Sequence, residues 1–586
     1  MAFFKALALL IIIPIIGFGI AEWVLSDINA EFTAQGMAIT ISELCTPAII
    51  AQNTDVAQLC SEVNPVFWLK NSSIVSGIAG IALLMSFVIV ARSAGQSRTK
   101  IAKLFPPLVF FSLFILSILV FVQGAILTYG AYLAETTAIQ QVHFYLIGAI
   151  GIGALMAGFG LIKSSIKLAS KQSMSIMGTT LDREKHSTLF SFISQIAEKL
   201  GARSPDNIVV GLDPNFYVTS ADVDVIGEDI KLTGETLYLS LPLSRILTEE
   251  EIKAVIGHEL GHFRGDDTYY SLKFSPVYSG LTHAIDAMEN NKSSVLSYIT
   301  SLPALAVLSY MMDAFHRNVS TISREREFEA DRASAEVAEP RALATSLLKI
   351  GLYAHAWGDL QNKIVERMQI RKFTTNMSQL FASIVKYDVN EESLPEVIGN
   401  ISQETVSHPT DSHPPTANRI SELGINIDDI EHDLLFMPEQ TSVELIPDHM
   451  EIEESLTTLQ QQYYVSLGVN VPDEEDAEHN YGAIIVAALG AHMVLADGVV
   501  EASEIDNAES IGMELSNDFD YVEFREYCYY PDTLPTIDDL VDASTEMEDE
   551  GKKLICDYLE KISAADDDVS PEEVALLNKV KAGLGV

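Results

Sequence analysis

The chain has 586 residues, a positive mean hydropathy of +0.20 and a formal net charge of −44 at pH 7. One compact core cannot organise so long a chain, so several domains are expected. High hydropathy and high negative charge are compatible if an apolar membrane part is joined to an acidic soluble part. Residues 471–586 carry 30 acidic and 6 basic residues. This charge argues against nucleic-acid binding, which needs a basic surface.

Four apolar segments predict transmembrane helices at about 6–25, 74–91, 106–130 and 142–162. A cleaved signal peptide is the competing interpretation of the first segment, and the three further spans argue against it. Segment 293–312 also lacks charge, but it is rich in Ser and Thr and contains Pro303. We expect helices there that pack on the soluble domain or lie in the membrane surface.

The distribution of charge between the spans predicts the topology. Basic residues are concentrated in segments 92–103 and 163–171, which should therefore be cytoplasmic. The acidic loop 26–73 should be extracytoplasmic, where Cys45 and Cys60 could form a disulfide. Both termini and the long segment after the fourth span then face the cytoplasm, and we expect a multi-pass inner-membrane protein of a bacterium.

The segment around His258, Glu259 and His262 predicts a metal site on one helix. Thr248 and Glu251 form a capping-box pattern at its start. Histidines four residues apart lie on the same helical face and can bind a zinc ion, while Glu259 is placed to act as general base for hydrolysis.

The same pattern could arise by chance, with both histidines on the protein surface. Gly257 and Gly261, which would let another backbone come close, favour a buried site.

A hydrolytic zinc site needs a third protein ligand. The metzincin position is occupied by Thr268, which excludes that pattern. A carboxylate on a second helix is the other common solution, and Glu327 is the preferred candidate because Asp331, one turn later, could orient a ligand histidine. Glu325 and Glu329 are interpreted as a solvated face.

These motifs, with Ser323-Arg324, Phe328-Glu329-Ala330 and the later segment 412–420, resemble the HtpX/CAAX-prenyl endopeptidase family of membrane gluzincins. The resemblance covers about 201–423. It implies a zincin-type fold, mainly helical with a small sheet, in which Glu327 is the third ligand of one Zn²⁺ and Asp331 its partner. It further implies that His413 and Arg419 lie near the substrate and the developing oxyanion, and that Asn215 begins an edge strand that binds substrate backbone.

The predicted fold class is α+β, in four parts: a membrane domain (1–171), a peptidase domain (172–440), a linker (441–478) and an acidic all-α domain (479–586). In the last part an acidic turn followed by a helix start occurs near 496 and again near 565, and the pair resembles a TerB-like domain. Such turns could hold calcium, but helix caps in an acidic bundle are the preferred interpretation.

The predicted function is a membrane-anchored zinc endopeptidase that hydrolyses membrane or cytoplasmic proteins, plausibly in protein quality control. Its partners would be a protein or peptide substrate, membrane lipid, and a protein bound by the acidic domain; the oligomeric state is not predicted. The alternative is a non-proteolytic membrane scaffold that presents the acidic domain.

Overall fold

The computed structural model describes residues 2–169, 173–264, 270, 273–274, 277–282, 285, 295–388, 394–403, 414–472, 481–498, 502–516, 519–545, 547–565 and 570–585. Long apolar helices come first, followed by a largely helical part with two small sheets and then by a group of helices. The architecture is α+β, as predicted.

Four helices in the described part of the chain are long and apolar enough to cross a membrane. They are α1 (Ala2–Ala34), α4 (Thr54–Ala94), α5 (Arg98–Ala134) and α6 (Phe144–Ala169), with the short helices α2 (Ile41–Leu44) and α3 (Pro47–Ile50) after the first. The first three predicted spans lie within α1, α4 and α5, and the fourth, 142–162, begins two residues before α6. Many of their outward side chains are large and apolar, including Ile15, Phe111 and Phe114, as expected of a lipid-facing surface.

Residues 26–73, predicted as a loop, are mostly helical. The first helix continues to Ala34 and α4 begins at Thr54, where Asn53 caps it by accepting hydrogen bonds from the backbone of Asp55 and Val56. Cys45 and Cys60 are joined in a disulfide with a Cα–Cα distance of 5.4 Å. In α4 the added polar turns precede the apolar run, and they begin at the Asn53 cap.

A buried polar contact connects three membrane helices. Pro14 has no N–H, so the carbonyl of Leu10, four residues earlier, has no helical donor. Gln123 on α5 donates to that carbonyl at 2.8 Å and to the Ser76 hydroxyl of α4 at 3.1 Å. The side chain therefore satisfies a backbone group that would otherwise be unpaired in an apolar environment.

Two small sheets begin the part of the chain predicted to be the peptidase domain, which is called the peptidase part below. The first contains β1 (Ser173–Met177), β5 (Asp222–Ile226) and β6 (Ile230–Leu232), in the order β1-β5-β6. The second contains β2 (Thr179–Thr180), β3 (Asn207–Gly211), β4 (Tyr217–Thr219) and β7 (Thr236–Ser240), in the order β2-β3-β7-β4. Strand β4 runs antiparallel to β7 at the edge of the second sheet.

The sheets lead into α7 (Ser187–Leu200), α8 (Leu241–Ser244), α9 (Glu249–Gly261) and the 43-residue helix α10 (Val295–Val337). The first half of α10 differs from the prediction for 293–312. Ala304, Leu308 and Met311 belong to the same apolar cluster as Phe87 and Phe105 of the membrane helices. This segment therefore packs among the membrane helices and not on the soluble domain.

Five helices complete the peptidase part: α11 (Pro340–Gln369), α12 (Met377–Asp388), α13 (Leu394–Gln403), α14 (Thr416–Glu422) and α15 (His449–Ser466). The last lies in 441–478, which was predicted as a linker. Val443, Ile452 and Leu456 belong to the core of the peptidase part, and Glu453 is fully buried with its carboxylate bound by Arg245. This segment is therefore an integral layer of the peptidase part.

The C-terminal region is helical in the residues described, as predicted. Its helices are α16 (Tyr481–Val494), α17 (Ala502–Leu515), α18 (Tyr521–Tyr529), α19 (Ile537–Ser544), α20 (Asp549–Ser563) and α21 (Pro571–Leu584). Ser570 caps α21 in a capping box with Glu573. Much of both acidic turns, 499–501 and 566–569, lies outside the described residues.

Helix α18 docks the acidic domain on the peptidase part. Arg367, whose side chain is 3% exposed, contacts Asp520 at 3.0 Å and Glu523 at 2.8 Å. Glu526 accepts a hydrogen bond from the backbone of Thr375 at 3.1 Å. Burial opposes charge on Arg367, but the nearby carboxylates raise its pKa.

Replacing Arg367 with Ala should loosen this interface, because the change removes a buried cation and leaves Lys372 as the nearby cation for Asp520 and Glu523. Since Lys372 remains, we expect a loss below the about 3–5 kcal/mol that is typical of a buried charge left without a partner. We expect faster hydrogen–deuterium exchange in α18, measured by mass spectrometry. The control is Lys363→Ala, on the same helix and 41% exposed. Equal exchange in both variants would show that the contact does not hold the domain.

Candidate metal centre

Helix α9 begins at a complete capping box. The Thr248 hydroxyl accepts from the backbone N–H of Glu251 at 3.2 Å, and the Glu251 carboxylate accepts from the backbone of Thr248 at 2.8 Å. Buried Lys349 of α11 donates to the same carboxylate at 2.9 Å. The start of α9 is therefore fixed both locally and from a neighbouring helix.

Two glycines let α9 approach α10 closely. A Cβ atom on Gly257 would lie 2.5 Å from Val337 Cγ2, and one on Gly261 would lie 3.0 Å from Ala333 Cβ. Ser334 reinforces the contact by donating to the carbonyl of Ala254 at 2.7 Å. Only glycine leaves room for this approach, which brings the histidines of α9 to the carboxylates of α10.

The two histidines and Glu327 converge on one point. His258 Nε2 lies 3.5 Å from one Glu327 carboxylate oxygen, and His262 Nε2 lies 3.5 Å from the other. Ligands about 2.0–2.1 Å from a tetrahedral ion lie roughly 3.4 Å apart. The spacing and the donor set, two imidazoles and a carboxylate, therefore fit a zinc-sized cation. Among the residues that the structure describes, these three form the one group of this kind.

Asp331 orients His258 by contacting Nδ1, the ring nitrogen opposite the one that faces Glu327. Its carboxylate is fully buried and lies 2.8 Å from His258 Nδ1, so the imidazole donates there and turns Nε2 towards Glu327. Arg419 donates to both Asp331 oxygens, at 2.9 and 2.6 Å. The Arg419 guanidinium thus contacts Asp331, and its Nη1 lies 3.7 Å from the Glu327 carboxylate. Its predicted position near the substrate and oxyanion stays a prediction.

The local charges favour a bound cation. Burial alone would lower the pKa of His258, but its hydrogen bonds to Asp331 and Glu327 raise that pKa to about 9. Burial and the neighbouring His258 hold the pKa of His262 well below its usual value. Burial opposes ionisation of Asp331, yet bonds from His258 and Arg419 keep its pKa lowered. A cation here would replace the proton on His258.

The other predicted site residues lie in different surroundings or outside the described part of the chain. Glu259 is half-buried on α9, next in the chain to His258, and its charge contributes to raising the pKa of both His258 and Arg419. Asn215 is exposed just before edge strand β4, and its side-chain oxygen accepts from the backbone of Phe216 at 2.9 Å. His413 lies outside the described residues.

Sequence reasoning missed Lys349. It is 1% exposed and forms a buried ion pair with Glu251, the capping residue of α9. The available signal was a single cationic residue in the apolar run 347–352. A buried charge there needs a partner, and Glu251 supplies it.

Replacing Asp331 with Asn should weaken metal binding by about 10- to 100-fold, the usual effect of losing an outer hydrogen-bond partner of a ligand histidine. The amide can present its N–H to His258 and has no charge to balance Arg419. Competition with a fluorescent zinc chelator would measure the affinity. Glu336→Gln, on the same helix and 47% exposed, is the control. Unchanged affinity in the Asp331 variant would contradict the orienting role.

Comparison with known proteins agrees with this site. Residues 227–425 match Peptidase family M48. A Protease HtpX homolog of Archaeoglobus fulgidus is 26% identical over 303 residues, which is 50% of this chain and 84% of the relative. One from Thermoplasma volcanium is 26% identical over 302 residues, 48% of this chain and 86% of the relative. The match to one from Polynucleobacter necessarius, 28% identical over 182 residues, spans 30% of this chain and 59% of the relative.

A solved structure, Ste24p of S. mikatae, aligns over 72% of this chain and 99% of its own, with 13% identity and a TM-score of 0.25. That similarity is too low to support an argument about the fold.

The apolar helices, the buried ligand cluster and the family match define a membrane-anchored metalloprotease. Residues 227–425 are similar to the M48 peptidases, and the chain is similar to the HtpX protease homologues. These findings favour the protease over the scaffold. The TerB-like assignment of residues 479–586 has no support among the comparisons.

Proposed function

We propose that this metalloprotease is a zinc-dependent endopeptidase, with His258, His262 and Glu327 as ligands, and that it cleaves membrane or cytoplasmic proteins in protein quality control. The observation that carries the proposal is the convergence of two Nε2 atoms on one carboxylate, each at 3.5 Å. A general base, Glu259, lies on the same helix between the two histidines. Metal, base and buried orienting groups are the parts that hydrolysis requires.

A bound zinc ion would lower the pKa of water and polarise the peptide carbonyl. The protein would supply the remaining chemistry. Glu259 takes the proton of the attacking water and transfers it to the leaving amine. Asp331 and Arg419 hold His258 in one tautomer and orientation, so the ligand set is arranged before substrate arrives. The oxyanion role predicted for His413 stays a prediction.

Edge strand β4 would bind the substrate backbone. The strand lies at the end of its sheet, and it contacts α9, the helix that carries both histidines. An extended peptide can add to such an edge as a further strand, which gives affinity through main-chain hydrogen bonds with little dependence on sequence. Asn215, at the start of this strand, would contact the peptide at one end.

We further propose that the catalytic and acidic domains are cytoplasmic and that the disulfide-bonded region is extracytoplasmic. The basic residues between α4 and α5 and at the end of α6 support this orientation. The disulfide Cys45–Cys60 supports an oxidising compartment for the opposite side. The bacterial inner membrane, lipid contacts and a protein partner for the acidic domain stay predictions.

Metal analysis and proteolysis of purified protein test the proposal together. We expect one zinc per chain, casein cleavage that a chelator abolishes, and recovery when zinc is added back. If the protein contained zinc but did not cleave casein, the result would favour the scaffold alternative. Activity that survives complete removal of zinc would exclude the assigned site.

A further inference from the structure

We propose that this enzyme cleaves membrane-inserted polypeptides at a fixed height above the cytoplasmic membrane surface. This inference rests on the proposed function and specifies its substrate. The observation behind it is that the third candidate ligand and the membrane anchor belong to one uninterrupted helix, α10.

The first part of α10 packs among the membrane helices. Val307, Leu308, Met311 and Phe315 are buried in the same cluster as residues of α1, α4 and α5. The rings of Phe315 and Phe105 lie 5.0 Å apart. An apolar cluster of this size holds the helix relative to the spans, because sliding α10 would disrupt the packing of these side chains.

The position of the bilayer surface along α10 follows from its neighbours. Asn318 donates to the carbonyl of Ala91 at 2.8 Å, and Arg92 is the first charged residue after the apolar run of α4. On α10 itself the first charged residue is Asp313, which is exposed. We therefore place the bilayer surface between the levels of Asp313 and Asn318, where charged side chains first become exposed.

Glu327 lies above this boundary by a distance that the helix sets. At 1.5 Å per residue, the interval from Asn318 to Glu327 is about 14 Å and that from Asp313 is about 21 Å. An extended chain covers 3.3–3.6 Å per residue, so roughly four to six residues are needed to reach the metal from the surface.

Contacts near the site keep this height constant. Arg98, the first residue of α5, lies 2.6 Å from the Glu329 carboxylate, two residues beyond Glu327. The close approach at Gly257 and Gly261 then locks the histidine-bearing helix α9 to α10. In the part of the chain that the structure describes, all three candidate ligands are thus connected to the membrane helices through short contacts.

The consequence concerns which bonds can be cut. A bond within about three residues of a substrate's transmembrane span cannot reach the metal, whereas bonds four to six residues away can. A membrane-inserted substrate is also held near the site by its span, which raises its effective concentration. Soluble unfolded proteins can still be cleaved, but without a positional preference.

Mapping of cleavage sites tests the proposal. The enzyme would be reconstituted in phosphatidylcholine–phosphatidylglycerol vesicles with a single-span Leu/Ala helix followed by a tail of identical repeated segments. Mass spectrometry should place the first cut about four to six residues from the span. Inserting three polar residues between span and repeats should move the cut three positions earlier in the repeats. The same tail without a span should be cleaved at least tenfold more slowly.

The controls separate this inference from the proposed function. Cuts that follow the repeat sequence regardless of the insertion, or cuts spread along the tail, would overturn the fixed height while chelator-sensitive casein cleavage kept the proposed function. Failure to cleave both casein and the tails with zinc present would overturn both. The Glu259→Gln variant in parallel vesicles identifies cuts made by any contaminating protease.

Discussion

Replacing Glu259 with Gln should lower peptide hydrolysis by about 10²- to 10⁴-fold, the usual contribution of a positioned general base. The amide has nearly the same size as the carboxylate but cannot accept the proton of the attacking water. Metal content should not change, because the cluster that fits the ion consists of His258, His262 and Glu327. A large loss of turnover with full metal occupancy is the signature of a base that does not bind the metal.

The measurements are zinc content and the initial rate of casein cleavage in the same preparation. The matched control is Glu250→Gln on the same helix, where the side chain is 46% exposed and contacts Lys253. It should retain wild-type rate. If the Glu259 variant kept its activity, or lost zinc in parallel with activity, the general-base assignment would fail.

Local patterns of the sequence predicted the centre of the site. Capping by Thr248 and Glu251, the four-residue spacing of the histidines and the small residues at 257 and 261 all act within a few turns of one helix. The structure shows the cap, the convergence and the close approach. The cap, the histidine spacing and the small residues depend on neighbours in the chain, so they can be predicted without knowledge of the fold.

The contact of Arg419 with Asp331 could not be predicted from local sequence patterns. The residue lies 88 positions from Asp331, and only the tertiary fold brings its guanidinium to that carboxylate. A motif can mark such a residue as part of the site, but it cannot tell whether the cation faces a substrate or supports a ligand from behind. That distinction depends on which side of the cluster α14 packs.

The prediction for 441–478 failed for a similar reason. Glu453 and Gln461 of this segment are polar, yet both are buried with partners on other elements, Arg245 and Thr374. Burial of a polar residue is invisible in the sequence when its partner lies far away in the chain. The first half of α10 was misjudged likewise, because its Ser and Thr residues lowered the hydropathy of a helix that packs among membrane spans.

Replacing Glu327 with Ala should remove the metal and, with it, essentially all hydrolysis. The variant leaves only the two imidazoles, and it deletes the one carboxylate that faces both of them. Loss of a direct ligand should weaken zinc binding by more than the 10- to 100-fold typical of an outer partner. Asp331 remains paired with Arg419, so the buried ion pair behind His258 should survive the substitution.

Metal-dependent thermal stability provides a readout other than activity. An ion that binds only the folded protein raises the melting temperature, so a chelator should lower it for the wild type and leave the Glu327 variant unaffected. Glu325→Ala is the matched control, since it removes an exposed carboxylate two positions earlier on α10 and should behave like the wild type. If Glu327→Ala kept zinc while Glu325→Ala lost it, the third ligand would be Glu325, and α10 would have to turn by about half a revolution to present it.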